Sequence, residues 1–111
     1  MAEPRRPKSK AQVRGLKTKA INWLRSADCP LGTTERLVWH VLLSYADHDT
    51  LQNCWPSTAA LQAGVGVKNS RLREALQALK AYNGPGLHLD WVQIYVKSER
   101  KKRLRYDITF S

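Results

Sequence analysis

The sequence predicts an α+β fold, mainly α, in which a three-helix core is followed by a C-terminal β-hairpin. Three observations predict it. Apolar residues recur at helical intervals in blocks before "NGPG" at residues 83–86, and after it they alternate with polar ones as in a strand. The blocks are separated by clusters of Gly, Pro, Asn and Asp, which end helices and start turns. At 111 residues the chain has room for one core, because a second could not bury enough surface to offset its chain entropy.

Residues 1–15 are polar and aperiodic, with Pro4, Pro7 and Gly15, and predict a disordered basic arm; the folded domain is expected over residues 16–111. "LKTKAINWLRSA", Leu16 to Ala27, spaces Leu16, Ala20, Trp23 and Leu24 at helical intervals, which predicts an extra N-terminal helix that stops before Pro30 and Gly32. The strongest helix follows. Thr33 or Thr34 can cap it, Glu35 suits the positive end of its dipole, and Leu37, Val38, Val41, Leu42 and Tyr45 continue it to about Asp47. Asp47, Asp49 and Asn53 favour turns, and Trp55 before Pro56 demands extended backbone. Ser57 is a good N-cap for "TAALQAG", a short helix expected to end at Gly64. After "GVGV" an amphipathic helix is predicted from about Asn69 to Tyr82, with Leu72, Ala75, Leu76 and Leu79 along one stripe. Two helices joined by a tight Gly-containing turn make a helix-turn-helix.

Leu87 to Val96 alternates in a strand pattern, and Leu104 to Phe110 forms a second strand with Leu104, Tyr106, Ile108 and Phe110 on one face. Between them "YVKSERKKRLRY" sets six cations against the single acid Glu99. A second cluster, residues 1–19, sets seven cations against Glu3, while the rest of the chain holds six cations and seven acids. The net charge of +10 is therefore concentrated in an arm and a hairpin on a nearly neutral body. That distribution is the footprint of a polyanion binder, since each phosphate neutralised releases condensed counterions.

Other classes of function find little support. No apolar run approaches the ~20 residues needed to span a bilayer, and "MAEPRRPKSK" lacks the apolar core of a signal peptide, so a soluble, cytoplasmic protein without membrane partners is expected. Cys29 and Cys54 follow no CxxC spacing and read as free thiols in a reducing compartment. His40, His48 and His88 have no metal-ligand spacing, and P-loop, GxSxG and dinucleotide motifs are missing, so neither an enzyme nor a cofactor is expected. Trp23, Trp39, Trp55 and Trp91 are expected in the core or at seams between elements.

The succession Trp55-Pro56-Ser57, Leu61, Gly64 and Gly66, then Leu72, Leu76, Leu79 and Gly84, then a basic hairpin closing on "RYDITF", resembles the winged helix-turn-helix family. It looks most like the compact DNA-binding domains of phage and plasmid proteins, including the N-terminal domains of some plasmid replication initiators. The resemblance covers Thr33 to Phe110. It implies a three-helix core with a C-terminal β-hairpin wing and sequence-specific binding of double-stranded DNA, in replication initiation or transcriptional regulation of a phage, plasmid or similar mobile element. Where the family often caps its recognition helix with Ser or Thr, this chain has Lys68-Asn69, leaving Asn69 or Ser70 to cap.

Rotation of about 100° per residue puts Ser70, Glu74 and Gln77 opposite the apolar stripe, with Arg71 and Arg73 on its flanks and Lys68 and Asn69 at the turn. Such a face suits a major groove: Arg can pair bidentately with guanine, Gln77 with adenine, and Glu74 can accept from cytosine N4. Arg36 and the hydroxyls of Ser57 and Thr58 are expected phosphate contacts, because a helix N-terminus favours anions. Lys97, Arg100, Lys101, Lys102 and Arg103, in a wing over about 97–105, are expected along the backbone or in a minor groove, and Arg5 and Arg6 in a neighbouring groove. An adaptor docking a replication or transcription protein is the alternative, because fold alone does not decide function. Single-strand or RNA binding has a thinner signal, as basic and aromatic residues barely interleave. The helix at Leu16 to Leu24 serves either a homodimer or the chain's own core.

Overall fold

Helical spacing, turn residues and alternation give six elements in the computed structural model, which describes residues 15–111. They are α1 (Leu16–Arg25), α2 (Thr33–Tyr45), α3 (Thr58–Val65), α4 (Asn69–Ala81), β1 (Leu87–Val96) and β2 (Lys101–Phe110). The expected basic arm, with Arg5 and Arg6, lies outside the described residues apart from Gly15. The fold is mainly helical, and its two strands pair antiparallel from Leu87 opposite Phe110 to Val96 opposite Lys101.

α2 is the central helix, but its buried side is rotated from the expected one. Val38, Trp39, Leu42 and Leu43 are buried, whereas Leu37 and Tyr45 are exposed and Val41 is half-buried. Apolar side chains lie on several sides of α2, so periodicity alone leaves the inward side undecided; the packing of α1, α3 and α4 decides it. The helix begins one residue earlier than a Thr cap requires. Gly32 is the N-cap and makes no side-chain bond, while Thr33 is already helical.

The extra N-terminal helix forms as α1. Its Ala20 and Leu24 are buried in the chain's own core, and Trp23 lies 6.3 Å from both Tyr82 and Phe110, at the seam between α4 and the hairpin base. Gly86 beneath that seam has φ 112°, and a Cβ there would enter the Trp23 ring, so only glycine fits. The start of α1 is fastened to the turn after α2, where Lys17 N–H donates to His48 O at 3.1 Å and Gly15 N–H to Asp49 Oδ1 at 3.2 Å.

Before α3 the chain is extended, as Trp55-Pro56 requires, and Cys54 forms a β-bridge to Tyr106 of β2, whose N–H donates to Cys54 O at 2.7 Å. Burial pushes the Cys54 thiol up to about 12 and the Tyr106 phenol up to about 12, the second also through its neighbour Cys54. Cys54 Sγ meanwhile sits 3.2 Å from Leu42 O, as a buried donor should. Cys29 is also a free, buried thiol. No described helix is long and apolar enough to cross a membrane.

α3 runs one residue past the expected stop. Gly64 is still helical, and Gly66, in the left-handed region at φ 79°, ends it with its N–H on Gln62 O at 2.8 Å. Gly64 is there for another reason: a Cβ would lie 2.8 Å from Val41 Cγ1 and 3.2 Å from Cγ2. Helix propensity alone favours Ala over Gly by ~1 kcal/mol, yet Gly64→Ala is expected to destabilise by about 1–3 kcal/mol through overpacking. Denaturant unfolding measures it, and Val41→Ala in the same chain should recover most of the loss.

A second prediction concerns pH. Cys54 and Tyr106 both titrate higher in the folded chain than in the unfolded one, where the thiol loses its proton near 9.0 and the phenol near 10.0. Above those values the unfolded chain binds fewer protons, so stability falls with rising pH. Thermal melts should hold steady up to about pH 9 and fall towards pH 12, and Cys54→Val should delay the onset.

Candidate nucleic-acid interface

The site is built on a turn of fixed shape. Gly66 in its left-handed conformation reverses the chain after α3, Val67 packs half-buried against the core, and Lys68 is the N-cap of α4. Neither Asn69 nor Ser70 caps α4: both are already helical, and the cap makes no side-chain hydrogen bond. α4 buries Leu72, Ala75, Leu76 and Leu79, the expected stripe. That leaves Lys68, Asn69, Ser70, Arg71, Arg73, Glu74 and Gln77 exposed together on its other side.

Those polar residues are not equally free. Arg71 is held between two carboxylates, 3.4 Å from Glu74 and 3.8 Å from Glu35 of α2, and must exchange them before it meets another anion. The pair with Glu74 is exposed and worth ~0–1 kcal/mol, whereas the Glu35 carboxylate is mostly covered. Arg73 and Gln77 make no side-chain hydrogen bond or ion pair among the described residues. They border a cleft of about 720 Å³ whose other lining is Glu74, Leu76, Trp91 and Leu104. The far wall is therefore β1 and β2. Lys80 fixes the angle of that wall, lying 4.6 Å over the Trp91 ring and 3.7 Å from Asp90.

A second groove, of about 480 Å³, runs beside the first at the N-terminus of α3. Ser57, Thr58 and Ala59 line one side, and Gln93, Lys101, Lys102 and Leu104 the other. Ser57 caps α3 as its residue type predicts, accepting from Ala60 N–H at 3.0 Å. Thr58 is exposed. The groove thus joins the positive end of a helix dipole to two lysines, an arrangement that attracts phosphate.

The cationic run divides into free and pinned members. Most of it belongs to the strand, which starts at Lys101 rather than Leu104; only Lys97 to Arg100 form the loop, with Arg100 at φ 52°. Lys97, Arg100, Lys101 and Lys102 are exposed and, among the described residues, unpaired. Arg103, expected as a phosphate contact, already has partners within the fold. Its Nη2 binds Glu99 at 2.8 Å and its Nη1 donates to Trp55 O at 3.2 Å, 48 residues away, so it straps the wing to the segment before α3. Arg105 pairs with Asp107 at 3.1 Å.

Arg36, also expected as a phosphate contact, is engaged as well. Its Nε and one terminal nitrogen donate to Leu31 O and Cys29 O, both at 2.9 Å, which spends the guanidinium on closing the loop before α2. Two charge-assisted bonds to backbone explain an arginine there without any ligand. The tryptophans behave as expected at three positions, with Trp39 in the core and Trp23 and Trp91 at seams, but Trp55 is 42% exposed. The histidines are scattered. His40 is half-buried, its pKa lowered by burial and by Arg25; His48 contacts Asp49; His88 bonds Gly84 O. Among the described residues no group of three or more His, Cys, Asp or Glu could hold a metal.

Sequence reasoning missed Gln93, Trp91 and Leu104 as lining of the site. Their shared face was readable from the alternation of β1, but nothing local says that this face looks towards α4.

Residues 31–83, just under half of the chain, match a protein-family model described as a helix-turn-helix domain. The matched segment takes in α2, α3, the turn and α4. No curated protein and no solved structure matches the chain.

The Arg103 strap yields a prediction that needs no ligand. Arg103→Lys keeps the charge but loses the two-way fork, so amides of residues 94–103 should exchange faster with solvent while those of α2 and α4 do not change. Lys101→Ala, which removes a free cation, should leave the same exchange rates unaltered.

Proposed function

We propose that this chain, whose residues 31–83 form a helix-turn-helix domain, binds duplex DNA sequence-specifically, with α4 in the major groove and the hairpin as a wing on the flanking backbone. One observation carries the reading. The polar side of α4 and two free cations of the wing, Lys101 and Lys102, border clefts that meet at Leu104, which favours a helix that can read bases beside a strand that can hold phosphates. In a helix-turn-helix the second helix enters the groove. Arg73 and Gln77 are the free base-reading candidates on it, joined by Arg71 once it leaves its carboxylates, and by Glu74 as an acceptor for cytosine. Lys68, Asn69 and Ser70 sit where the helix enters the groove. Lys97, Arg100, Lys101, Lys102, Ser57 and Thr58 are the phosphate contacts. Arg5 and Arg6 in the arm add a further basic contact on a neighbouring groove. The likeness to phage and plasmid domains supports a role in replication initiation or transcriptional regulation of a mobile element, in a nucleoid- or plasmid-associated place in the cytoplasm.

The second reading, an adaptor that docks a replication or transcription protein, is favoured by Leu37, Tyr45 and Trp55, large side chains exposed at 40%, 46% and 42%. Tyr45 and Trp55 line a groove with Val96 that shares Pro56, Ser57 and Arg103 with the groove at the start of α3 and no residue with the cleft beside α4. Apolar exposure of this kind often marks a protein contact.

Binding to a pool of random duplexes at two salt concentrations separates the readings. One enriched motif is expected, with log affinity falling against log salt by about 0.9 for each phosphate neutralised. Arg71→Ala, Arg73→Ala and Gln77→Ala together should remove the motif and leave salt-sensitive binding. Replacing Lys97, Arg100, Lys101 and Lys102 with Ala should instead flatten the salt slope by about 3–4 and keep the motif. Salt-sensitive binding of the unmodified chain with no enriched motif would defeat the specific reading.

A further inference from the structure

Side chains alternate across a strand, and the register sets Trp91 opposite Tyr106, Gln93 opposite Leu104 and Tyr95 opposite Lys102. These three pairs share one face of the hairpin and form a line from the core outwards. At the inner end Tyr106 is buried and Trp91 stands in the cleft with Arg73 and Gln77 of α4. In the middle Gln93 and Leu104 line the groove at the start of α3. At the outer end Tyr95 is 60% exposed, beside the free Lys102.

Nothing within the fold occupies the two outer side chains of β1 on this face. Among the described residues the Gln93 amide makes no hydrogen bond, and Tyr95 makes neither a side-chain hydrogen bond nor a ring contact. Their chemistry differs from that of the surrounding lysines. An ammonium only donates and reads no sequence, whereas an amide offers both a donor and an acceptor. A phenol brings a flat apolar ring with a polar tip.

With α4 in a major groove, the phosphate strand bordering that groove passes between helix and wing, and the next surface the wing meets is the minor groove. There A·T pairs show only acceptors, and G·C adds the guanine N2 amino donor. An amide N–H suits the acceptors, and a flat ring suits the narrow, smooth walls of an A·T run.

We propose that this face of the wing is a second sequence-reading surface, on which Gln93 and Tyr95 select A·T over G·C in the minor groove beside α4 while Lys102 holds the intervening phosphates. It rests on the duplex-binding reading above and adds base discrimination to an element otherwise serving affinity alone.

The test is enrichment from random duplexes with the full chain, followed by affinity measurements on the motif found. The expected motif has two blocks: an inner one read by α4 and an outer one with an A·T preference of about tenfold per base pair. Gln93→Ala with Tyr95→Ala should level the outer block and keep the inner one, with unchanged circular dichroism showing that the fold persists. Lys102→Ala should weaken binding to all sequences alike. Inosine·cytosine pairs, which lack the guanine amino group, should behave as A·T in the outer block. A double variant that keeps both blocks, a motif without an outer block, or inosine behaving as guanine each overturns the proposal while duplex binding stands. Enrichment of nothing by the unmodified chain sinks both.

Discussion

A backbone hydrogen bond, from Tyr106 N–H to Cys54 O at 2.7 Å, fastens the hairpin to the segment that leads into α3. It lies between two buried residues, so leaving either partner unmade would cost about 1–3 kcal/mol. On one side the chain goes directly through Trp55-Pro56-Ser57 into α3; on the other, β2 runs out to the wing. The bridge therefore sets where the N-terminus of α3 stands against Lys101 and Lys102, and with it the groove between them. Arg103 repeats the same connection farther out, through its donation to Trp55 O. These two connections tie β2 to the segment before α3, and Lys80 of α4 meets Trp91 and Asp90 of β1.

The same geometry explains why one acid stands in a run of six cations. Glu99 closes the hairpin end by binding Arg103 at 2.8 Å, inside the loop that Arg100 completes with a positive φ. It turns one positive charge inwards and leaves Lys97, Arg100, Lys101 and Lys102 outwards. The charge that matters for a polyanion is thus smaller than the composition suggests, but it is better placed. Arg36 follows the same logic on α2, where two carbonyls hold its guanidinium in the loop beneath the helix start.

α1 does for the back of the molecule what the bridge does for the front. Trp23 packs against Tyr82 at the end of α4 and Phe110 at the end of β2, over a glycine that leaves room for its ring. The end of α4, the base of the hairpin and α1 are thereby held as one seam. His88 stacks on Tyr82 at 5.9 Å and bonds Gly84 O, which stiffens the turn from α4 into β1. The direction in which α4 points relative to the wing is set there by apolar contact and glycine geometry, and farther along by Lys80 on Trp91 and Asp90.

Element types, their order and most boundaries could be read from residues 16–111, because helices and strands impose fixed periods and Gly, Pro and capping residues act locally. The Ser57 cap, the α4 stripe and the span of β1 are such cases. So is the exposed polar side of α4, which follows from the stripe by rotation alone. The differences from expectation share one cause. Leu37 and Tyr45 lie outside the core because the inward side of a helix with apolar residues on several sides is chosen by its neighbours. The helix stops at Gly66, which takes the left-handed conformation, while Gly64 is glycine because of Val41, which belongs to another helix. Arg36, Arg71 and Arg103, expected to meet DNA, have carbonyl and carboxylate partners in the fold, most within seven residues but Glu35 for Arg71 and Trp55 O for Arg103 from farther away, the latter 48 residues off. Sequence by itself determined which residues can carry charge, cap or alternate; tertiary structure alone decided which of them remain unengaged, because a hydrogen bond is satisfied by whatever lies within ~3 Å, irrespective of its place in the chain.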